Sequence, residues 1–340
     1  MNKRRPVILI LTAALITVLL FSLGQLSTPG QAARPESPEL RKAPNRPPLL
    51  QPLVPADIAE ETPPDIWQEA RTMDGTHIFV FDCREKELLH CSTDPRDSLY
   101  PASITKLFSA WVALQYLPPE QEIQAGRELG LLQPGSSTAY ISYGSVLTAQ
   151  MLVEGMLLPS GNDAAYVLAA AAGRAIAGDE PLSAARAVDI FVEEMNRQAE
   201  ALGMTGTHFE NPDGYHAEGH YSCPEDLAVM GTLALENGII ARYARCRSDS
   251  VRFASGETCT WRNTNRLLNP QSPYYCPAAL GLKTGYTRQA GYCLLAAFEG
   301  EEGPLLVGIF GAEDKTSRYE NAVTLMELAK NNRGGHKVRP

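Results

Sequence analysis

The sequence has no concentrated positive charge to speak of. Beyond Lys3-Arg4-Arg5 and a weakly basic stretch at residues 333–339 there is no run of Lys and Arg, and the net charge is −9. Phosphate backbones are held by a dense basic face, so nucleic acid is excluded as a partner. A C-x-x-C pair is also missing from the seven cysteines (Cys83, Cys91, Cys223, Cys246, Cys259, Cys276 and Cys293). Without that spacing a zinc site is not expected, and no other metal or cofactor is indicated. No internal repeat is found.

The start of the chain reads as an export segment. The basic residues at 3–5 precede an apolar run of 17 residues at 7–23, followed by small and polar residues through Ala33. That run is long for a cleaved signal and at the lower edge of a membrane span. Residues 1–33 are therefore expected to be a signal peptide or an N-terminal anchor. Either way the body works outside the cytoplasm, where disulfides are permitted. Cysteines 259 and 276 flank an excursion and are the candidate pair, whereas Cys293 sits in an apolar strand and reads as a core residue.

Residues 34–64 hold nine prolines and few aromatics, a composition that makes an extended linker and no core. The folded body is expected over residues 65–331, with a polar tail at 332–340. Residues 77–81 and 88–89 read as a β-hairpin around a charged turn, and residues 278–283, 292–298 and 305–310 as three further strands. Helical spacing marks residues 106–116, 148–158, 163–177, 184–202, 225–236 and 318–330. Ser222-Cys223-Pro224-Glu225 has the form of a capping box for the fifth of these. The reading is an α+β (mixed α/β) fold: an antiparallel five-stranded sheet built from both chain ends, flanked by helices, with a helical region inserted at about 103–270.

Three strings carry chemistry: Ser103-Ile104-Thr105-Lys106, Ser160-Gly161-Asn162 and Lys283-Thr284-Gly285. A serine hydroxyl needs a neighbouring base to act as a nucleophile. Positions i and i+3 share a helix face, so Ser103 and Lys106 project into one site. Lys106 can accept a proton only if burial and a second cation, Lys283, lower its pKa. Ser160 and Asn162 lie in a turn between helices, where one can relay a proton and the other hold a substrate amide. Lys283 and Thr284, ending a strand, can bind a carboxylate. Gly285 leaves room for a substrate backbone, and the Tyr286 N–H can join that of Ser103 as an oxyanion hole. Taken singly, the strings also describe a surface helix start, a capping turn and a strand-end turn. Their joint order and contexts give them meaning.

In these strings, and in Leu158 to Ala164, Gly206 to Gly214, Gly219 to Ser222, Asn263 to Leu268 and Gly281 to Thr287, the chain resembles the penicillin-recognising low-molecular-mass D-alanyl-D-alanine carboxypeptidases over residues 70–330. The resemblance implies Ser103 as acylated nucleophile, Lys106 as its base and Ser160 as a catalytic second-motif residue. It implies Asn162, Lys283, Thr284, Gly285 and Tyr286 as substrate-binding, and Arg318 near the terminal carboxylate. It further implies hydrolysis of the D-Ala-D-Ala bond of peptidoglycan stem peptides and inhibition by β-lactams. Many relatives continue into a β domain and a C-terminal anchor; here membrane attachment is expected only through the N-terminal segment. The rivals are a serine β-lactamase, for which no segment supplies a deacylating glutamate, and a non-catalytic wall-binding homologue. A zinc carboxypeptidase built on His216 and His220 is a fourth reading, opposed by Gly214 and Gly219, which argue against a helix there.

Overall fold

A computed structural model describes residues 65–178 and 182–333. The expected signal or anchor, the linker and most of the polar tail lie outside the described residues. Along the chain come β1 (His77–Asp82), β2 (Glu87–Cys91), a 3-10 turn (Ala102–Ile104), α1 (Thr105–Ala113), β3 (Glu122–Gln124), β4 (Val146–Thr148), α2 (Ala149–Leu157), α3 (Asn162–Ala177) and α4 (Ala184–Ala201). Then follow α5 (Pro224–Glu236), α6 (Gly238–Arg245), β5 (Ser248–Arg252), β6 (Thr258–Arg262), β7 (Ala279–Thr287), β8 (Gly291–Phe298), β9 (Leu305–Ala312) and α7 (Ser317–Arg333).

The main sheet has the order β2-β1-β9-β8-β7, antiparallel throughout. It is five-stranded and joins the two chain ends, as the apolar runs predict. Strands β8 and β9 are almost wholly buried because both faces of the sheet are covered. Phe79, Leu282, Leu295, Ala297 and Leu306 face a core shared with the helical region, while Ile78, Val80, Leu294, Ala296 and Val307 face α7. This alternation is the two-residue period of a strand. Helix α7 presents Tyr319, Ala322, Leu325, Met326 and Ala329, a one-sided stripe at helical spacing.

Four expectations are corrected. Lys283-Thr284-Gly285 does not end a strand; β7 runs on to Thr287 at the sheet edge. The capping box does not form: Cys223 is the N-cap of α5, without a side-chain cap bond. Ser222 is instead drawn inward to Thr207 Oγ1 at 2.9 Å, and Glu225 pairs with Arg96. Cys259 and Cys276 are both free thiols. Cys259 packs into the helical-side core and Cys276 into the α7-side core, so the candidate pair is divided between the two. Finally, α6 and the β5–β6 hairpin were not expected. The hairpin buries only Val251 and Trp261 fully, which leaves little periodicity to read.

Candidate active site

Ser103 lies in the 3-10 turn just ahead of α1, one turn before Lys106. The preceding Ala102 has a left-handed backbone, φ 48°, which swings the turn toward β7. Lys106 is fully buried. Its Nζ reaches Ser103 Oγ at 2.9 Å, Asn162 Oδ1 at 2.8 Å and the Asp213 carbonyl at 2.7 Å. Three acceptors match the three donors of an ammonium. Burial pushes this amine down to about 8, against the opposing pull of the Asp213 and Asp163 carboxylates. A lysine in that range exchanges protons near neutrality.

Ser160 and Asn162 stand where α2 hands over to α3. Ser160 also has a left-handed backbone, φ 65°, which costs a non-glycine residue about 1 kcal/mol or more. Surrounding contacts fix it there. The Ser137 hydroxyl donates to the Ser160 carbonyl at 2.6 Å, and the Asn162 N–H donates to the Ser137 carbonyl at 2.8 Å. Asp163 pins the same loop by accepting from the N–H groups of Ala139 (2.7 Å) and Ile141 (3.0 Å). Gly161 has to be glycine, since a Cβ there would stand 2.6 Å from Asp163 Oδ1 and 2.7 Å from Ala139 Cβ. Asn162 Oδ1 faces Lys106, and its amide nitrogen donates to Ser136 Oγ at 3.0 Å. Both ends of the Asn162 side chain are thus engaged by the protein.

Strand β7 closes the third side. Lys283 is buried, and its Nζ donates to Ser160 Oγ at 2.9 Å and to the Thr284 carbonyl at 2.8 Å. Burial first, then the Lys106 and Arg318 charges, hold it well below an ordinary lysine. The expectation was that burial and Lys283 together depress Lys106; here burial lowers Lys106, and the repulsion is felt at Lys283. Thr284 Oγ1 lies 2.6 Å from Thr264 Oγ1. A Cβ on Gly285 would come within 2.9 Å of Ala102 Cβ and 3.1 Å of the Ser103 nitrogen. The glycine therefore lets β7 close onto the serine turn itself. Next to it, Tyr286 is 56 % exposed, its ring 4.5 Å from that of Tyr292.

Arg318, in the first turn of α7, is buried behind this strand. One guanidinium nitrogen donates to the carbonyls of Gly285 (3.1 Å) and Cys293 (2.8 Å), the other to the Tyr319 hydroxyl (3.1 Å), while Nε has no partner. The two histidines weighed as metal ligands serve elsewhere. His220 is buried, 2.9 Å from Thr105 Oγ1, and accepts from the Glu210 N–H; burial and neighbouring cationic groups push it down to about 3. His216 stands edge-on to the Tyr100 ring. No cluster of three potential metal ligands occurs among the described residues.

The structure brings Ser103, Lys106, Ser160, Asn162, Lys283, Thr284 and Gly285 together around one cleft, with Tyr286 at its rim and Arg318 behind it. Reading by motif passed over the Asp213 carbonyl, Ser137, Asp163 and Thr264. Three of these four lie in the strings Gly206 to Gly214, Leu158 to Ala164 and Asn263 to Leu268, which carry the family resemblance. Ser137 sits in a loop with no such signal.

The chain is similar to known proteins in sequence and in fold. The chain is 28% identical over 238 residues to D-alanyl-D-alanine carboxypeptidase DacF of Bacillus subtilis, covering 68% of this chain and 56% of DacF. It is 31% identical over 235 residues to the D-alanyl-D-alanine carboxypeptidase of Streptomyces sp. strain K15, covering 66% of this chain and 76% of that protein. Among solved structures, the Streptomyces K15 DD-transpeptidase superposes with a TM-score of 0.67 at 25% identity, over 76% of this chain and 97% of that one. Penicillin-binding protein D2 of Listeria monocytogenes, solved in its ampicillin-bound form, shares the fold with a TM-score of 0.61 at 23% identity, over 76% of this chain and 98% of that one. Residues 66–314 match the family described as D-alanyl-D-alanine carboxypeptidase, and the chain belongs to that family.

Proposed function

We propose that this protein hydrolyses the terminal D-Ala-D-Ala bond of peptidoglycan stem peptides through an acyl-serine intermediate, outside the cytoplasm. One observation carries the reading: a buried lysine at about 8 lies 2.9 Å from the Ser103 hydroxyl, with a second buried lysine on Ser160 across the cleft. Family membership supports it, as do the names of the relatives.

Neutral Lys106 takes the proton of Ser103 as Oγ attacks the scissile carbonyl. The oxyanion that forms is met by the N–H groups of Ser103 and Tyr286. The tetrahedral intermediate collapses and D-alanine leaves, its nitrogen taking a proton from Ser160, which Lys283 resupplies. The Lys283 Nζ already donates to Ser160 Oγ at 2.9 Å, which aligns that resupply. Water then attacks the ester and gives its proton back to Lys283 through Ser160. The departing Ser103 oxygen recovers its own from Lys106, and both lysines end as they began. Asn162 holds Lys106 in line. Thr284 offers its hydroxyl to the terminal carboxylate, and Arg318 adds positive charge behind Gly285 while bracing the strand. A β-lactam, carrying a strained amide and a carboxylate, follows the first half and stalls as the acyl-enzyme.

A fluorescent penicillin tests the assignment. The expected result is one covalent adduct on the peptide containing Ser103, together with D-alanine release from diacetyl-L-Lys-D-Ala-D-Ala. An adduct that persists in Ser103→Ala sinks it.

A further inference from the structure

Beside the catalytic cleft the protein holds a cavity of about 730 Å³ that the chemistry above leaves unused. It begins at Tyr286, one residue past Gly285, and Tyr100, three residues ahead of Ser103, forms part of its wall. It does not include Ser103 itself. Tyr221 adds a further aromatic wall. Three charged side chains complete it: Glu218 from the loop before α5, Arg288 from the β7–β8 turn and Glu313 just past β9. All three are exposed to solvent, and none enters an ion pair among the described residues.

The position of the cavity follows from the direction of β7. Lys283 and Thr284 mark the side of the leaving D-alanine, so the acyl portion of the substrate runs past Tyr286 toward Arg288. An extended chain advances about 3.3–3.6 Å per residue. One residue upstream of the one that carries the scissile carbonyl, roughly 3.5 Å further on, it has reached the level of Thr287, next to Arg288. The residue arriving there is the one that precedes D-Ala-D-Ala, the diamino acid of the stem peptide. Its side chain ends either in an ammonium alone, as in lysine, or in an ammonium and a carboxylate together.

We propose that this cavity is the specificity subsite for that residue, and that its opposed charges select a diamino dicarboxylate. Glu218 and Glu313 offer acceptors to the ammonium, and Arg288 offers a planar fork to the carboxylate. The tyrosine rings cover the methylene stem. A lysine-type side chain would meet only the acids. The inference rests on the carboxypeptidase reading and deepens it.

Two pentapeptides, L-Ala-γ-D-Glu-X-D-Ala-D-Ala, differing only in whether X is lysine or 2,6-diaminopimelate, give the test. D-alanine release by the full chain is measured for each. One solvent-accessible charge-assisted contact predicts a kcat/KM ratio of about three- to fivefold in favour of the dicarboxylate. Arg288→Ala should bring the ratio to within about twofold of one, and Arg288→Lys should leave it between the two. Glu218→Gln should lower kcat/KM for both peptides, because both carry the ammonium. The rate of fluorescent-penicillin labelling, which uses Ser103 but not the cavity, shows that each variant is folded. Equal kcat/KM values in the wild type, or a preference that Arg288→Ala leaves intact, overturn the subsite while D-alanine release stands. Release from neither peptide overturns the carboxypeptidase reading, and the subsite with it.

Discussion

The two faces of the central sheet are built to opposite standards. Toward the helical region the protein buries Lys106, Asn162, Asp163, Asp213 and Lys283, with Glu154 nearby in α2. Toward α7 it buries Ile309, Val307, Leu294, Leu325 and Tyr319, to which α7 adds the charge of Arg318. Burying charge is costly unless each group finds partners, and the first face shows signs of that cost. Glu154 is pushed up to about 8 by burial and by Asp249, and one of its oxygens has no partner. Left-handed backbone at Ala102, Tyr140 and Ser160 adds to it. On the α7 face that cost falls on Arg318, whose Nε has no partner, while the side chains packed between sheet and helix are apolar. Chemistry and stability are thus separated by the thickness of one sheet.

The largest effect should come from Ser103→Ala on the polar face. Losing the proposed nucleophile should lower D-alanine release by about 10³-fold or more and abolish the penicillin adduct. The melting temperature should barely move, because the side chain is half-buried and small. A large drop in melting temperature would mean that the two faces are not separable. Leu325→Ala makes the opposite cut. It should cost about 2–5 kcal/mol in denaturant unfolding, the usual range for a fully buried leucine. Turnover per folded molecule should be unchanged below the transition.

Arg318 is where the faces meet, so its substitution should show both effects in smaller measure. Arg318→Gln removes the donors to Gly285 and Cys293 and the charge behind the strand. We expect KM for a D-Ala-terminated peptide to rise about tenfold, with a loss of about 1–3 kcal/mol in stability. A change in stability with KM untouched would reduce the arginine to a brace.

The same division decides what could be read from the amino-acid order. The meeting of Ser103 with Lys106, and of Ser160 with Lys283, was legible because each pair comes from short, ordered strings. The sheet was legible because β8 and β9, covered on both sides, read as unbroken apolar runs. Several other features left no such trace. Lys106 is held partly by the Asp213 carbonyl, and a main-chain oxygen has no signature of its own. The extent of β7 was hidden by Lys283-Thr284-Gly285, which breaks the apolar run where the strand must approach Ser103 closely. Ser222 looked like a cap because its neighbours fit one; tertiary burial gave its hydroxyl to Thr207 instead. The candidate cysteine pair failed because sequence distance says nothing about which side of a sheet a residue faces.

The smallest expected effect is the most specific to the buried lysines. As the proposed base, Lys106 must be neutral to take the Ser103 proton, and burial lowers its pKa to about 8. Its folded value is lowered, so the protonated, inactive form dominates below about 8 and the active amine above it. The rate of penicillin acylation should therefore rise with pH, by about fivefold between pH 7 and 8, and level off above about 9. Replacing Asp213 by Asn removes the leading force that opposes the fall, while its main-chain carbonyl stays available to Nζ. The midpoint should then move below 8, raising the relative rate at pH 7. A flat profile, or one that falls between pH 7 and 8, would remove Lys106 as the base. A profile whose midpoint ignores Asp213→Asn would show that burial alone, and not the polar network of that face, sets the working range of the lysine.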